Sequence, residues 1–190
     1  MAVARVLSSV LLLSAMACVR PLVVRPAPEA TQTQRSDLMV RALKTTGKPG
    51  DWLVRRGYHG TDHAISLVTG AAFSHAALLD VERGQVVEAD GAGGVHVTPL
   101  ETFAEASHRL WIVRPAWWTP ERGAEAVAQA RALVGRKYDF TGLSGLNDPN
   151  RYYCTELCLH VYREALPKGF HRPAVIAPGI LYEWGTVLWD

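Results

Sequence analysis

The chain has 190 residues, enough for one domain with extensions and a proper apolar core. Its 20 Lys and Arg against 18 Asp and Glu leave a net charge of +2. With no basic run to go with it, that balance argues against nucleic acid as a partner.

The N-terminus reads as an export signal. Arg5 precedes an uncharged stretch from Val6 to Ala17, which ends Ser14-Ala15-Met16-Ala17-Cys18. The stretch is shorter than the roughly 20 residues of a membrane-spanning helix, and small residues close it, as in a cleavable leader. Residues 1–17 are therefore expected to be a signal peptide. Cleavage after Ala17 would leave Cys18 first, which resembles a bacterial lipoprotein signal with Ala15 where leucine is usual. Ordinary signal-peptidase cleavage after Ala15-Met16-Ala17 is the alternative. Residues 18–45 are expected to be a lipidated N-terminus and tether, since Pro21, Pro26 and Pro28 stand among polar residues with little to bury. The expected location is the cell envelope, with attachment to the membrane through a lipid on Cys18.

Ser36 can cap a short helix over Asp37 to Lys44. The turn residues Thr45 to Gly50 lead into the folded domain, read as 46–190. Asp51 to Arg55 is a predicted strand, and Thr61 or Asp62 can cap a helix that Gly70 closes. Ser74 to Val81 and Val86 to Ala89 read as two strands of a hairpin turning at Glu82 to Gln85. Val95 to Thr98 follows a glycine-rich turn, Pro99 opens a helix over Leu100 to Ala106, and Leu110 to Arg114 is another strand. Pro120 to Val134 has the marks of a helix: proline first, Glu121 and Glu125 early, Arg131 late, Gly135 after it. A last helix runs from Cys154 and stops before Pro167, and the tail with Trp184 and Trp189 is expected to pack back on the sheet. Strands in a meander with helices around them make the fold class α+β.

Cys154 stands where a polar loop (Asn147 to Asn150) and two tyrosines run into that last helix, with Leu157, Val161 and Leu166 at roughly helical spacing. A first-turn position exposes a thiol to unpaired amides and to the helix dipole, which favour the thiolate. Buried cysteines more often act as small hydrophobes, and Cys158, one turn along, suits that role. A thiol nucleophile needs an imidazole within reach and a third polar group to hold the ring. Of seven histidines, His75 opens a strand of small and apolar residues, and Glu88 is the charge inside the Val86 to Ala89 strand. The hairpin makes these strands antiparallel neighbours, so His75 and Glu88 can meet near its open end. A one-residue slip would turn Glu88 to the other face, and Asp90 would be a poor substitute. His59 and His63 have the spacing of helical metal ligands, but Gly60 between them and the lack of an adjacent glutamate argue against a metal site. His96, His108, His160 and His171 read as surface or structural. No cofactor is called for.

His75, Glu88 and then Cys154 at a helix start, in that order, resemble the circularly permuted branch of the NlpC/P60 papain-like superfamily, the YiiX/YaeF-type amidases. The resemblance runs through Gly50-Asp51-Trp52-Leu53, Ser74-His75-Ala76-Ala77, Val87-Glu88-Ala89, Gly94-Val95, Thr98-Pro99-Leu100, Tyr138-Asp139-Phe140 and Tyr153-Cys154-Thr155-Glu156-Leu157. It implies a papain-like fold in which a thiol-bearing helix packs on a small antiparallel sheet. It implies Cys154 as nucleophile, His75 as base and Glu88 as the ring-orienting residue, with Tyr138 and Tyr153 at the substrate cleft. The implied activity is that of a cysteine amidase or peptidase on envelope amides, with peptidoglycan stem peptides first and acylated amides or lipids second. An acyltransferase on the same residues, a non-catalytic envelope binding module, and a redox pair of Cys154 with Cys158 are the competing readings. The last is disfavoured by geometry, because successive helical turns do not aim their Cβ atoms at each other.

Overall fold

The computed structural model describes residues 24–190, so the leader and Cys18 lie outside the described residues. Helix α1 (Glu29–Thr46) comes first, then strand β1 (Trp52–Gly57), helix α2 (Gly60–Thr69), and strands β2 (His75–Asp80), β3 (Gln85–Asp90) and β4 (Gly94–Pro99). Helix α3 (Leu100–Glu105), strand β5 (Ser107–Pro115), helix α4 (Pro120–Ala132), helix α5 (Cys154–His160) and strand β6 (Gly185–Trp189) complete the order. The six strands form one antiparallel sheet in the order β4-β3-β2-β1-β5-β6.

The alternation of side chains along each strand divides the core in two. Leu53, Ala77, Leu79, Val86 and Ile112 point to one face, where Leu43 of α1 and Leu100 and Phe103 of α3 cover them. Trp52, Val54, Ala76, Leu78, Val87 and Ala89 point to the other, under α4 and α5. Buried polar ties hold α5 and the segment after it in place. Trp52 Nε1 donates to the Cys158 carbonyl at 3.1 Å, the Tyr162 hydroxyl to the Gly50 carbonyl at 2.9 Å, and Thr155 Oγ1 to the Ile176 carbonyl at 2.6 Å.

Two expected elements differ most in their bounds. The helix expected over Asp37 to Lys44 starts at Glu29, within the stretch read as a tether, because Met39, Ala42 and Leu43 bury a face against the sheet. Helix α5 ends at His160 rather than running to Leu166. Val161 caps it, and a separate 3₁₀ turn over Arg163–Ala165 carries the chain to Pro167. The tail does return to the sheet, as β6 on its edge beside β5.

Candidate active site

His75 opens β2, and its neighbour across β3 is set by register. Ala77 stands opposite Glu88, so His75 lies diagonally from Glu88 on the same face. The two side chains meet at 2.6 Å between Nε2 and Oε2. A carboxylate can only accept, so Nε2 carries the proton and Nδ1 is left for the thiol. Thr98 on β4 donates its hydroxyl to Glu88 Oε1, which occupies the second oxygen. His96, directly opposite Glu88 across β3 and β4, brings Nε2 to 3.6 Å from the same Oε1.

Cys154 belongs to α5, on the opposite face of the sheet, yet its sulfur hydrogen-bonds the His75 ring. The meeting is possible because the β2–β3 pairing begins at Ala77 and Glu88. Before that point the two strands part. The Ala76 N–H is free to donate to the sulfur, and the Thr155 N–H at the helix start donates as well. All three side chains are enclosed, with exposures of 4 % for Cys154, 6 % for His75 and 4 % for Glu88.

Burial works against every charge in this trio and is outweighed. It pushes the Cys154 thiol up, but the His75 hydrogen bond and charge and the two backbone N–H donors bring it below its ordinary value. Burial pulls the imidazole down, while Cys154 and Glu88 together raise it to about 9. Glu88, pushed up by burial, is held at about 2 by the hydrogen bond and charge of His75, with Arg55 and Thr98 adding to the effect. The favoured form is a thiolate–imidazolium pair beside an ionised carboxylate. That arrangement can deliver a sulfur nucleophile and a proton donor in one place.

A cavity of about 510 Å³ opens beside His75, walled by Ile65, Ala89, Tyr138, Phe140 and Leu143, with Arg55 also on its lining. Its size is that of a small-molecule site. Tyr138 stands on its wall and also feels the Cys154 charge, which adds to burial in raising the phenol far above its ordinary value. The loop carrying Tyr138 and Phe140 is pinned by Asp139, whose carboxylate accepts from Thr141, Gly142 and Asp148. A smaller cavity of about 270 Å³ shares the Tyr138 and Phe140 wall without His75, and the enclosed Cys154 is on the lining of neither.

Tyr153 is placed elsewhere. It is 1 % exposed, and its hydroxyl accepts from the Ile176 N–H at 3.2 Å, so it packs behind the helix start instead of lining either cavity. Cys158 is buried and free, and burial pushes its thiol well up. His59 precedes α2 as its cap, and His63 Nδ1 sits 3.3 Å from Arg56 Nη2. Among the described residues no group of three or more His, Cys, Asp or Glu side chains is placed to hold a metal ion. In the sequence His96 reads as surface or structural, and Thr98 and Arg55 carry no site role of their own. The alternation in β4 puts His96 and Thr98 on the face of Glu88, a signal that becomes usable only when the register is known.

The sequence model of a family described as permuted papain-like amidase enzymes, YaeF/YiiX, C92, matches residues 46–181. The chain belongs to this C92 family. The protein named Probable lipoprotein peptidase YaeF, from Escherichia coli (strain K12), is 28% identical over 96 residues, covering 50% of this chain and 34% of that relative. The match thus spans about a third of the length of the curated relative. A crystal structure titled as the metalloprotein yiiX from Escherichia coli O157:H7 is similar with a TM-score of 0.53 and 27% identity, over 63% of this chain and 66% of that one. With the C92 assignment, this likeness bears out the papain-like part of the fold expectation. Helix α1 lies almost wholly ahead of the matched C92 segment, although it covers one face of the same sheet.

Proposed function

We propose that this C92 protein is an exported cysteine hydrolase, an amidase or peptidase, in which Cys154 is the nucleophile, His75 the base and Glu88 the residue that orients the ring. The observation that carries the reading is the meeting of three groups in one enclosed place: His75 Nε2 stands 2.6 Å from Glu88 Oε2, and the Cys154 sulfur and the His75 ring are near enough to shift each other's acidity. The chain order of His75, Glu88 and Cys154 supports a permuted arrangement of the NlpC/P60 kind. The thiolate attacks an amide carbonyl and forms a tetrahedral adduct. The Cys154 backbone N–H, which has no acceptor within its own helix, is one oxyanion donor. Tyr138, kept protonated by burial and by the neighbouring thiolate, is the second. The imidazolium gives its proton to the leaving amine as the C–N bond breaks. Water, deprotonated by the same imidazole, then attacks the thioester; the C–S bond breaks, the acid leaves, and the thiolate–imidazolium pair is restored.

The substrate is an amide of the cell envelope, with peptidoglycan stem peptides the first class to test. The export signal, Cys18 and the lipoprotein named among the relatives support an envelope location with a lipid anchor. Among the described residues no helix is long and apolar enough to cross a membrane. A second reading, hydrolysis or transfer of acyl chains, is favoured by the apolar wall of the cavity beside His75.

The test is alkylation by iodoacetamide at mildly acidic pH, followed by assays on purified sacculi and on N-acyl amides with wild type beside Cys154→Ala. We expect Cys154 to react faster than a free cysteine, His75→Ala to slow it, and Cys154→Ala to abolish turnover. Alkylation no faster than a free thiol and unaltered by His75→Ala would sink the reading. An added amine acceptor separates a transferase from a hydrolase by its product.

A further inference from the structure

Beside His75 stands a cation with donors to spare. Arg55 is directly opposite His75 in the β1–β2 register, with its guanidinium 4.6 Å from the centroid of the Phe103 ring. It lines the 510 Å³ cavity together with His75, and its Nε and Nη1 are enclosed without a hydrogen-bond partner. Buried donors on a charged group are costly to leave unmet, so such a group in a cavity wall suits an acceptor that arrives with the ligand.

The acidic groups around it are already engaged. Glu88 accepts from His75 on one oxygen and Thr98 on the other. Asp62 accepts from the Ser74 hydroxyl on one oxygen and from the His59 N–H on the other. Asp90 accepts from the Ala92 and Gly93 amides, with its other oxygen 3.9 Å from His96. Arg55 acts on Glu88 and His75 through space, holding the first down and opposing the protonation of the second.

We propose that Arg55 is the anion-recognition residue of the cleft, and that the substrate amide carries a carboxylate close to the bond at which Cys154 acts. A guanidinium gives a carboxylate charge-assisted N–H bonds, and one cation balances one negative charge. A phosphate monoester, with nearly two charges, would be left half neutralised. Ile65, Ala89, Phe140 and Leu143 leave the rest of the cavity to an apolar group. The substrate class is therefore an N-acyl amino acid, or a peptide that ends in a free carboxylate beside an apolar side chain. This deepens the hydrolase reading and rests on it only for turnover, because binding does not need the thiol.

The experiment measures binding by calorimetry to full-length Cys154→Ala. The probes are N-decanoylglycine and its neutral amide, and a tripeptide ending in phenylalanine with its C-terminal amide. We expect at least one acid to bind about tenfold or more tightly than its amide, the size of one charge-assisted contact. Arg55→Gln in the same background should erase that preference while holding the neutral amide as before, which also shows the cavity intact, and Arg55→Lys should keep part of it. In otherwise wild-type enzyme, Arg55→Gln should raise KM for the preferred acid far more than KM for its neutral amide. Acid and amide binding alike, no binding of either acid, or an equal loss of both ligands in Arg55→Gln overturns the proposal. A preference that depends on Arg55, with no turnover and no fast alkylation of Cys154, would uphold the subsite while the hydrolase reading falls.

Discussion

Cys154 and Cys158 lie one turn apart on α5, both buried and both free, and their acidities move in opposite directions. Burial raises both thiols. Only Cys154 has an imidazole and two backbone N–H donors to reverse it. Mass spectrometry after native alkylation should therefore find label on Cys154 and none on Cys158. Glu88 supports a second expectation at this scale. Held at about 2 against an ordinary 4.5, it contributes stability that is complete above pH 4.5 and is lost as the pH falls toward 2. His75, raised from 6.5 to about 9, contributes stability that is complete below pH 6.5 and is lost as the pH rises through 9. The melting-temperature gap between wild type and Glu88→Gln should be widest between these limits and narrow on both sides. A gap constant with pH would remove Glu88 from the ion pair. The same substitution should lower kcat at least about tenfold, since the imidazolium loses its countercharge and one of the two accepting oxygens becomes an NH2 donor facing His75 or Thr98.

The elements around the site are held by close backbone approaches. Gly50 has a φ of +84°, and a Cβ there would come within 2.5 Å of the Tyr162 hydroxyl and 2.6 Å of Gly123 Cα. This glycine lets the chain enter β1 while its carbonyl accepts the Tyr162 hydroxyl that anchors the segment after α5. Gly50→Ala adds a left-handed strain of about 1–2 kcal/mol to a clash with backbone, so we expect a loss of about 3 kcal/mol or more by chemical denaturation. Next to it, Asp51 is buried and takes two hydrogen bonds from Arg114, at 2.9 and 2.8 Å, which tie the start of β1 to β5. These ties bear on the site because β1 carries Arg55 and borders β2, which carries His75.

Across the whole molecule, the sheet separates the thiol from its partners. The helix with Cys154 packs on one face and α1 and α3 on the other, and the trio assembles at the end of the sheet where β2 and β3 diverge. Helix α1 lies away from that end, packed mainly on α3, β5 and β6. Leu43→Ala should cost about 2–5 kcal/mol, as a cavity under a covering helix does. Measured in the folded protein, the alkylation rate of Cys154 should stay within about twofold of wild type, because distant sites act independently. A large fall in that rate would show that α1 is coupled to the site.

Residue types and their order carried much of this in the bare sequence. Proline before and glycine after marked α4, alternation marked β2 and β3, and the isolated polarity of His75 and Glu88 among apolar neighbours marked them out, because local sterics and solvent preference act within a few residues. Where α1 begins was not legible, since Glu29 to Arg35 is polar and turns helical with a face that packs only further along, at Met39 and Leu43. Nor was the burial of Tyr153, which follows from the distant Ile176 amide. The register that pairs Ala77 with Glu88, the parting of strands that lets a sulfur reach a ring across the sheet, and the unmet donors of Arg55 were decided by tertiary structure alone. Each depends on which distant groups take up or leave free a hydrogen bond, and no stretch of chain holds that information by itself.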